Sequence, residues 1–370
     1  MAYIHQLPQW PEFQWQDDAI SSLLATVRHR QGRLIGRMES LGFELRSEAI
    51  LTTLTQDVLK SSEIEGEDLN HDQVRSSIAR RLGMDIAGLV HSDRNVEGVV
   101  EMMLDATQKF AKSLTQERLF DWHMALFPTG RSGMTRIIVG AWRLDHEGPM
   151  QVVSGPYGRE KVHFQAPSAD TLAQEMARFL EWFDGNDKHD PVIKAAIAHL
   201  WFVTIHPFDD GNGRIARAIA DIALARSEDS SQRFYSMSSE IRQRRKSYYD
   251  ILEKTQKGSL DITAWLRWFL DCLDGAITRA EQELQNVMFK ARFWESFREK
   301  PMNDRQRLML NKLLDNFKGK LTSSKWAQLT KCSHDTALRD IDALIALGVL
   351  EKEAAGGRST SYKLRTSLPA

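Results

Sequence analysis

The stretch that decides how this chain folds is HPFDDGNGRIAR, residues 206–217. The apolar run before it, residues 199–205, predicts the buried end of a helix, and the proline of the stretch stops that helix because it lacks a backbone N–H. The two glycines of the stretch allow backbone conformations that other residues avoid, and they leave room for a ligand. Residues 215–220 predict a new helix, so the loop directs unpaired N–H groups outward, an arrangement that suits phosphate oxygens.

Each polar residue of this stretch has a chemical role open to it. His206 titrates near neutrality and can take a proton from a hydroxyl group. Asp210 can hold Mg²⁺, which prefers one or two carboxylates together with phosphate oxygens. Asn212 can position the loop or donate to a phosphate, and Arg214 and Arg217 share one helix face and can pair with phosphates. A capped helix with solvated charges would explain any one of these residues, but not so many of them in one short stretch.

The stretch resembles the signature of the Fic family, His-Pro-Phe-x-(Asp/Glu)-Gly-Asn-(Gly/Lys)-Arg-x-x-Arg, at every defined position. The resemblance implies transfer of AMP from ATP to a hydroxyl side chain of a target protein. It implies His206 as the general base, Asp210 as the Mg²⁺ ligand and Arg217 as the ligand of the outer phosphates. The implied anion hole consists of Gly211, Asn212, Gly213 and Arg214. The expected substrate is therefore ATP and the expected metal is Mg²⁺.

A second motif precedes this site. Residues 44–65 predict a helix that stops at Gly66, and the bare pattern is that of an exposed acidic turn. However, Ser61-x-x-x-Glu65-Gly66 resembles the inhibitory motif of Fic proteins, (Ser/Thr)-x-x-x-Glu-(Gly/Asn). The resemblance implies that Glu65 pairs with Arg217, competes with the γ-phosphate of ATP and inhibits the protein in cis.

A change of composition at residues 129–165 predicts β structure. β-Branched runs occur at 137–139 and 150–153, a turn is expected at 154–158, and residues 161–164 return as a strand. We expect a hairpin at about 150–165. One interpretation is a loop that serves only as a structural cover. The family resemblance implies instead a flap that holds a segment of the target protein by strand addition.

Other residues near the site have plainer interpretations. His123 is expected to be a core histidine, and His163 is a poor candidate for the base because no phosphate loop surrounds it. The basic run 242–245 predicts a solvated helix face. The resemblance also implies a tyrosine that contacts the nucleotide, and either Tyr248 or Tyr249 could stack on the adenosine or form a hydrogen bond with it.

The C-terminal residues 301–370 predict a separate module. Three helices followed by a hairpin resemble a winged helix-turn-helix. The module contains 12 Lys and Arg against 7 Asp and Glu, a net charge of +5. The third helix would read DNA, with Thr336, Arg339 and His334 directed outward and Arg358 on the wing. Three acids, Asp335, Asp340 and Asp342, would repel phosphates, so DNA binding and protein docking both stay open.

Composition places few limits on function. Hydrophobic residues make up 42% and charged residues 27% of the chain, as in ordinary globular proteins. The sequence contains no apolar run of 18 residues, so no membrane span is expected. The N-terminus lacks the features of a signal peptide. The two cysteines have no metal-site spacing and are expected to be reduced thiols. These features predict a cytoplasmic protein without a membrane partner.

The expected architecture is mainly α. It has an N-terminal helical region (1–85), a Fic core with a β-hairpin flap (86–297) and a winged helix-turn-helix (301–370). The predicted function is a self-inhibited protein adenylyltransferase that modifies a Tyr, Thr or Ser hydroxyl of a target protein or of itself. Removal of AMP by the same site and a nucleotide-sensing DNA-binding regulator are the alternatives. The resemblance also implies a homodimer.

Overall fold

The computed structural model describes residues 2–84, 89–146, 148–156, 158–185, 188–314, 317, 319–353 and 360–365, with the side chains of Glu44 and Ala291 left out. The chain forms two compact units, residues 1–281 and 282–370. None of the described helices is both long enough and apolar enough to cross a lipid bilayer.

The described part of the chain is mainly helical, as the sequence predicts. The helices are α1 (Asp17–Glu39), α2 (Phe43–Glu65), α3 (His71–Arg81), α4 (Arg94–Gln108), α5 (Gln116–Leu126), α6 (Leu172–Asp184), α7 (Pro191–Ile205), α8 (Asn212–Glu228), α9 (Met237–Gln243), α10 (Arg245–Gln256), α11 (Thr263–Ser296), α12 (Asp304–Leu314), α13 (Ser323–Thr330) and α14 (His334–Ala346). Three antiparallel strand pairs accompany them: β1 (Arg131–Ser132) with β2 (Thr135–Arg136), β3 (Gln151–Ser154) with β4 (Lys161–Gln165), and β5 (Leu350–Lys352) with β6 (Tyr362–Leu364).

Helices α7 and α8 form the centre of the first unit. The Asp190 side chain accepts from the N–H of Val192, and Pro191 occupies the first helical position, so the start of α7 is defined by the sequence. From Val192 to Ile205 nearly every side chain of α7 is buried, as expected of a helix that is apolar on all sides. This buried helix carries His206 at its end.

Helix α2 packs against α8 and α9 of the same unit. Its Asp57 carboxylate accepts from the hydroxyl of Ser236 at 2.5 Å and from the N–H of Ser238 at 3.2 Å, at the start of α9. The helix ends at Gly66, which has a φ of +89°, and the Glu67 N–H donates to the Ser62 carbonyl at 3.0 Å. This left-handed end resembles a Schellman motif and holds the last turn of α2 in place.

The expected hairpin is present in strands β3 and β4. Gln151 pairs with Gln165, and Ser154 pairs with Lys161, with a register shift between Val152 and Val153. Part of the expected turn, Tyr157, lies outside the described residues. The strand prediction for 137–139 is wrong, because these residues form no strand. The Ile138 N–H instead donates to the Asp209 carboxylate at 2.8 Å.

The second unit contains the predicted three helices followed by a hairpin. Its core forms around Trp326, Ile341 and Leu344. The expected wing residue Arg358 lies outside the described residues. The expectation for Asp340 is wrong, because this acid is buried and pairs with Arg305 at 2.8 Å instead of facing outward.

Candidate active site

His206 lies at the exact junction between α7 and the loop that follows. Its φ of 53° is left-handed, a strained conformation for a residue with a side chain, and its N–H donates to the Phe202 carbonyl. The Nδ1 atom lies 3.3 Å from the Val203 carbonyl, which leaves Nε2 as the nitrogen for another partner. Burial lowers the pKa of His206 to about 4, so the imidazole is neutral at neutral pH.

Arg143 supports this loop, a role that no sequence pattern predicts. Its Nε donates to the His206 carbonyl at 2.8 Å, and its backbone N–H donates to the Pro207 carbonyl at 2.9 Å. The same buried guanidinium donates to Asp145 at 2.6 Å and to the Pro167 carbonyl at 2.5 Å. Arg143 therefore fixes the backbone on which His206 stands.

Asn212 closes the loop on itself. Its Oδ1 accepts from the Phe208 N–H at 3.0 Å, and its Nδ2 donates to the Phe208 carbonyl at 2.7 Å. Of the two roles open to Asn212, the structure therefore places it in the first, that of positioning the loop. Gly211 has a φ of +82°, and a Cβ there would lie 2.9 Å from the Phe127 ring, so the loop requires glycine at this position.

Asp210 presents a carboxylate beside this loop. One oxygen accepts from the Gly211 N–H at 2.5 Å, and the other accepts from the Ser132 hydroxyl. Each oxygen keeps a further lone pair for a cation. No cluster of three or more His, Cys, Asp or Glu residues suited to a metal occurs in the described ranges. A single carboxylate fits Mg²⁺ that arrives with a nucleotide, because phosphate oxygens then supply other ligands.

His123 supports the loop from the core, as expected. Its Nδ1 accepts from the Gly140 N–H at 3.2 Å, so Nε2 carries the proton and donates to the Asp210 carbonyl, also at 3.2 Å. The ring stacks on Phe208 with 4.2 Å between the ring centroids. Burial lowers the pKa of His123 to about 4, which keeps the ring neutral.

Arg217 is buried against the end of α2. Its Nη2 lies 2.8 Å from the Glu65 carboxylate and donates to the Ser61 carbonyl at 2.8 Å, while Nε donates to the Ser61 hydroxyl at 2.9 Å. Burial disfavours the charged guanidinium, but the Glu65 carboxylate together with Tyr248 and Tyr249 outweighs this and raises the pKa of Arg217. Its Nη1 is buried and has no hydrogen-bond partner among the described residues.

Arg214 has a carboxylate partner that the sequence did not suggest. Its Nη1 lies 2.5 Å from the Glu67 carboxylate, and its guanidinium lies over the Phe127 ring at 5.0 Å from the centroid. The Nε atom is buried and unpaired within the described part of the chain. The two arginines at the start of α8 are thus each paired with an acid at or just after the end of α2.

The end of α2 is also held from α9 and α10. Arg245 donates to the Ile64 carbonyl at 2.8 Å, and the Tyr249 hydroxyl donates to the same carbonyl at 3.3 Å. Arg242 lies 3.3 Å from the Glu63 carboxylate. The basic run 242–245 lies at least partly in solvent, as predicted, and Arg242 and Arg245 also contact the end of α2 from there.

A cavity of about 530 Å³ opens beside His206. It brings together the end of α2, the hairpin, the loop and α10. Its lining includes Glu65, Val152, Val153, Ser154, His163, His206, Gly213, Arg245, Tyr248, Tyr249 and Glu253. Both candidate tyrosines line the cavity, but Tyr248 is buried and its hydroxyl lies 2.8 Å from His199, whereas Tyr249 is more exposed.

The comparisons with known proteins agree with this geometry. Residues 113–224 match the model of the Fic/DOC family, which covers the loop and most of α8. The chain carries a Fic domain. Residues 3–84, which include α2, match a separate family described as a domain of unknown function, DUF4172.

Curated relatives of this chain are named protein adenylyltransferase Fic. The protein of Drosophila mojavensis is 27% identical over 225 residues, 59% of this chain and 39% of the relative. That of Drosophila melanogaster is 33% identical over 138 residues, 35% of this chain and 26% of the relative. The chain thus spans about two fifths or less of the length of these relatives.

Two solved Fic structures show the same fold. A Fic family protein from Desulfovibrio desulfuricans G20 has a TM-score of 0.55 at 22% identity, over 96% of this chain and 98% of that chain. A Fic domain containing signaling protein from Bacteroides thetaiotaomicron VPI-5482 has a TM-score of 0.50 at 21% identity, over 71% of this chain and 95% of that chain.

The hairpin of this Fic domain is tied to α10 through His163. Its Nδ1 lies 2.6 Å from the Glu253 carboxylate, and its Nε2 lies 2.5 Å from the Ser154 hydroxyl. Hydrogen bonds from Lys257 and His163 lower the pKa of Glu253 to about 2, so this acid is ionised. His163 therefore positions the hairpin over the cavity, whereas His206 stands on the loop that precedes α8.

Proposed function

We propose that this protein is an adenylyltransferase that moves AMP from ATP to a Tyr, Thr or Ser hydroxyl of a target protein or of itself. The observation that carries the proposal is a neutral histidine on a loop that leads into two buried arginines, each with an N–H that has no partner in the described part of the chain. Buried guanidinium groups need an anionic partner, and phosphate oxygens match their geometry. The names of the curated relatives support the same activity.

The proposed reaction forms one bond and breaks one bond at the α-phosphorus. The acceptor oxygen bonds to the α-phosphorus, the bond from that phosphorus to the bridging oxygen of the β-phosphate breaks, and pyrophosphate leaves. The proton of the acceptor hydroxyl passes to Nε2 of His206. Because burial keeps the pKa of His206 at about 4, the histidine is ready to accept a proton at neutral pH.

The phosphate chain would bind at the start of α8. The first N–H groups of a helix have no partner within the helix, and here they belong to Asn212, Gly213 and Arg214. Arg217 would bind the outer phosphates. Asp210 would hold Mg²⁺, which when bound would neutralise part of the phosphate charge. This arrangement acts by position and electrostatics, as is general for transfer of phosphate groups.

Glu65 is the proposed inhibitor of this reaction. Its side chain is 28% exposed, while that of Arg217 is 2% exposed, so the acid covers the guanidinium from the cavity side. A carboxylate and a γ-phosphate compete for the same donors. With Glu65 in place, the outer phosphates cannot reach Arg217, and ATP binds in a geometry unsuited to attack.

Two specific observations support further activities. Glu65 lines the same cavity as His206, so the acid could align a water that removes AMP from a modified protein.

In the second unit, Asp340 is neutralised by Arg305 and does not face outward. That arrangement leaves fewer acids to repel DNA from α14, and it supports DNA contact by residues 301–370 as an addition to the enzyme.

The test of the proposed activity uses ATP labelled at the α-phosphate and, separately, at the γ-phosphate. The full chain with Glu65→Gly is incubated with each, and the label on protein is located by mass spectrometry. Label from the α-position alone supports transfer of AMP. Label from the γ-position would replace the proposal with phosphoryl transfer. Loss of AMP from a pre-modified protein incubated with the wild-type chain, without forward transfer by Glu65→Gly, would establish the removal reaction instead.

A further inference from the structure

The pairing of Arg214 with Glu67 has the same form as the pairing of Arg217 with Glu65. We propose that Glu67 is a second inhibitory carboxylate, which occupies an anion position at Arg214 that a phosphate oxygen of the nucleotide takes in the active state. This inference rests on the proposed function and extends it from one blocked phosphate position to two.

Arg214 is built as an anion site. Its side chain is 2% exposed, and the Phe127 ring covers its guanidinium. A buried cation requires a nearby anion, and within the described residues the Arg214 Nε has no partner, so Glu67 does not use all of its donors. The Glu67 side chain is 44% exposed, so it can return to water at low cost when a phosphate replaces it.

One short piece of chain supplies both acids. Glu65 ends α2, Gly66 takes the left-handed conformation, and Glu67 follows with its N–H on the Ser62 carbonyl. The acids therefore stand on either side of a fixed turn. Movement of this turn would free both arginines together, whereas a substitution at Glu65 alone would free only Arg217.

The cavity agrees with a double block. Glu65 and Gly213 are among its lining residues, but in the described part of the chain neither Arg214 nor Arg217 is. Both guanidinium groups are thus separated from the space in which a nucleotide would sit. With Glu65→Gly alone, ATP would gain one arginine and would still compete with Glu67 for the other.

The test compares Glu65→Gly with Glu65→Gly/Glu67→Gln in the full chain. Binding of Mg²⁺-ATP and of adenosine is measured by calorimetry, and AMP transfer is measured over a range of ATP concentrations. We expect the second substitution to lower the Kd and the KM for ATP by roughly three- to tenfold, the scale of one partly exposed ion pair. Adenosine carries no phosphate, so its affinity is expected to stay the same. The matched control is Glu65→Gly/Glu48→Gln, which removes an acid from an exposed position of the same helix.

The outcomes separate this inference from the proposed function. Tighter ATP binding with Glu67→Gln, but not with Glu48→Gln, supports the second block. If Glu67→Gln and Glu48→Gln raise the affinity for ATP equally, or if the affinity for adenosine also rises, the second block is overturned. The effect would then be a general one of charge or of a loosened helix. If Glu65→Gly transfers AMP and adding Glu67→Gln changes neither the Kd nor the KM for ATP, the second block is also overturned. The proposed adenylyltransferase activity stands in that case. If ATP binding tightens but no variant transfers AMP, the second block stands and the proposed reaction fails.

Discussion

The Oε1 atom of Glu65 lies 2.8 Å from Nη2 of Arg217, and the same oxygen lies where the side chain of residue 213 would begin if that residue were not glycine. A Cβ on Gly213 would stand 2.2 Å from it. The pair therefore depends on the absence of a side chain at residue 213. In the proposed function, the same glycine leaves room for a phosphate and for the acid that competes with it.

This contact predicts non-additive effects of Gly213→Ala and Glu65→Gly. In the wild type, the new methyl group should push Glu65 from Arg217 and reduce the free energy of unfolding. In the Glu65→Gly background that clash is gone, and alanine should stabilise the helix by up to about 1 kcal/mol. Denaturant unfolding of the four proteins in a double-mutant cycle measures the difference. Equal effects of Gly213→Ala in both backgrounds would show that the two residues are not coupled.

A substitution of Arg143 tests whether this residue positions His206. Arg143→Met keeps much of the side-chain volume but removes the donors to the His206 and Pro167 carbonyls. We expect kcat for AMP transfer in the Glu65→Gly background to fall by about tenfold or more, because the base moves, with a smaller change in the KM for ATP. The free energy of unfolding should fall by about 2–4 kcal/mol, because buried acceptors lose their partner.

The matched control for Arg143 is Arg37→Met, at an exposed position on α1. It removes the same charge far from the loop and should leave both measurements unchanged. Wild-type kcat in a folded Arg143→Met protein would contradict the assigned role.

The pKa of His206 predicts the acid side of the pH profile. A general base works in its neutral form, and burial lowers this pKa to about 4, below its ordinary value of about 6.5. Transfer by Glu65→Gly should therefore stay nearly constant from pH 8 to about pH 5.5 and fall only as the pH approaches 4. Circular dichroism at each pH checks that the protein is still folded. A half-maximal rate near pH 6.5 in folded protein would show that the base is not this buried histidine.

The parts that the sequence predicted are those with a local pattern. The helix, loop and helix around residues 206–217 follow from a contiguous run of apolar residues, glycines and proline. The end of α2 at Gly66 and the hairpin of β3 and β4 likewise have signals within a few residues of each other. The strand expected at 137–139 failed because its β-branched residues instead cover the loop, where the Asp209 carboxylate binds the Ile138 N–H.

The parts that it missed depend on contacts between distant segments. Arg143 comes from an irregular stretch, and only the folded chain brings it to the His206 carbonyl. Glu67 lies just beyond the recognised motif, and its partner Arg214 is reached only when α2 packs on α8. The contact of Arg245 with the end of α2 has no sequence signal because its acceptor, the Ile64 carbonyl, is a backbone atom that no side-chain pattern reveals.

The central claim is that the protein transfers AMP, with His206 as the general base, once Glu65 no longer pairs with Arg217. The most direct measurement is the rate at which α-labelled ATP labels protein with four chains: wild type, Glu65→Gly, Glu65→Gly/His206→Ala and, as a control for glycine in α2, Glu48→Gly. We predict that labelling rises by about tenfold or more with Glu65→Gly alone, and that His206→Ala lowers it by about 100-fold or more, the usual scale for loss of a general base. Equal labelling by wild type and Glu65→Gly, or full labelling without His206, would contradict the account.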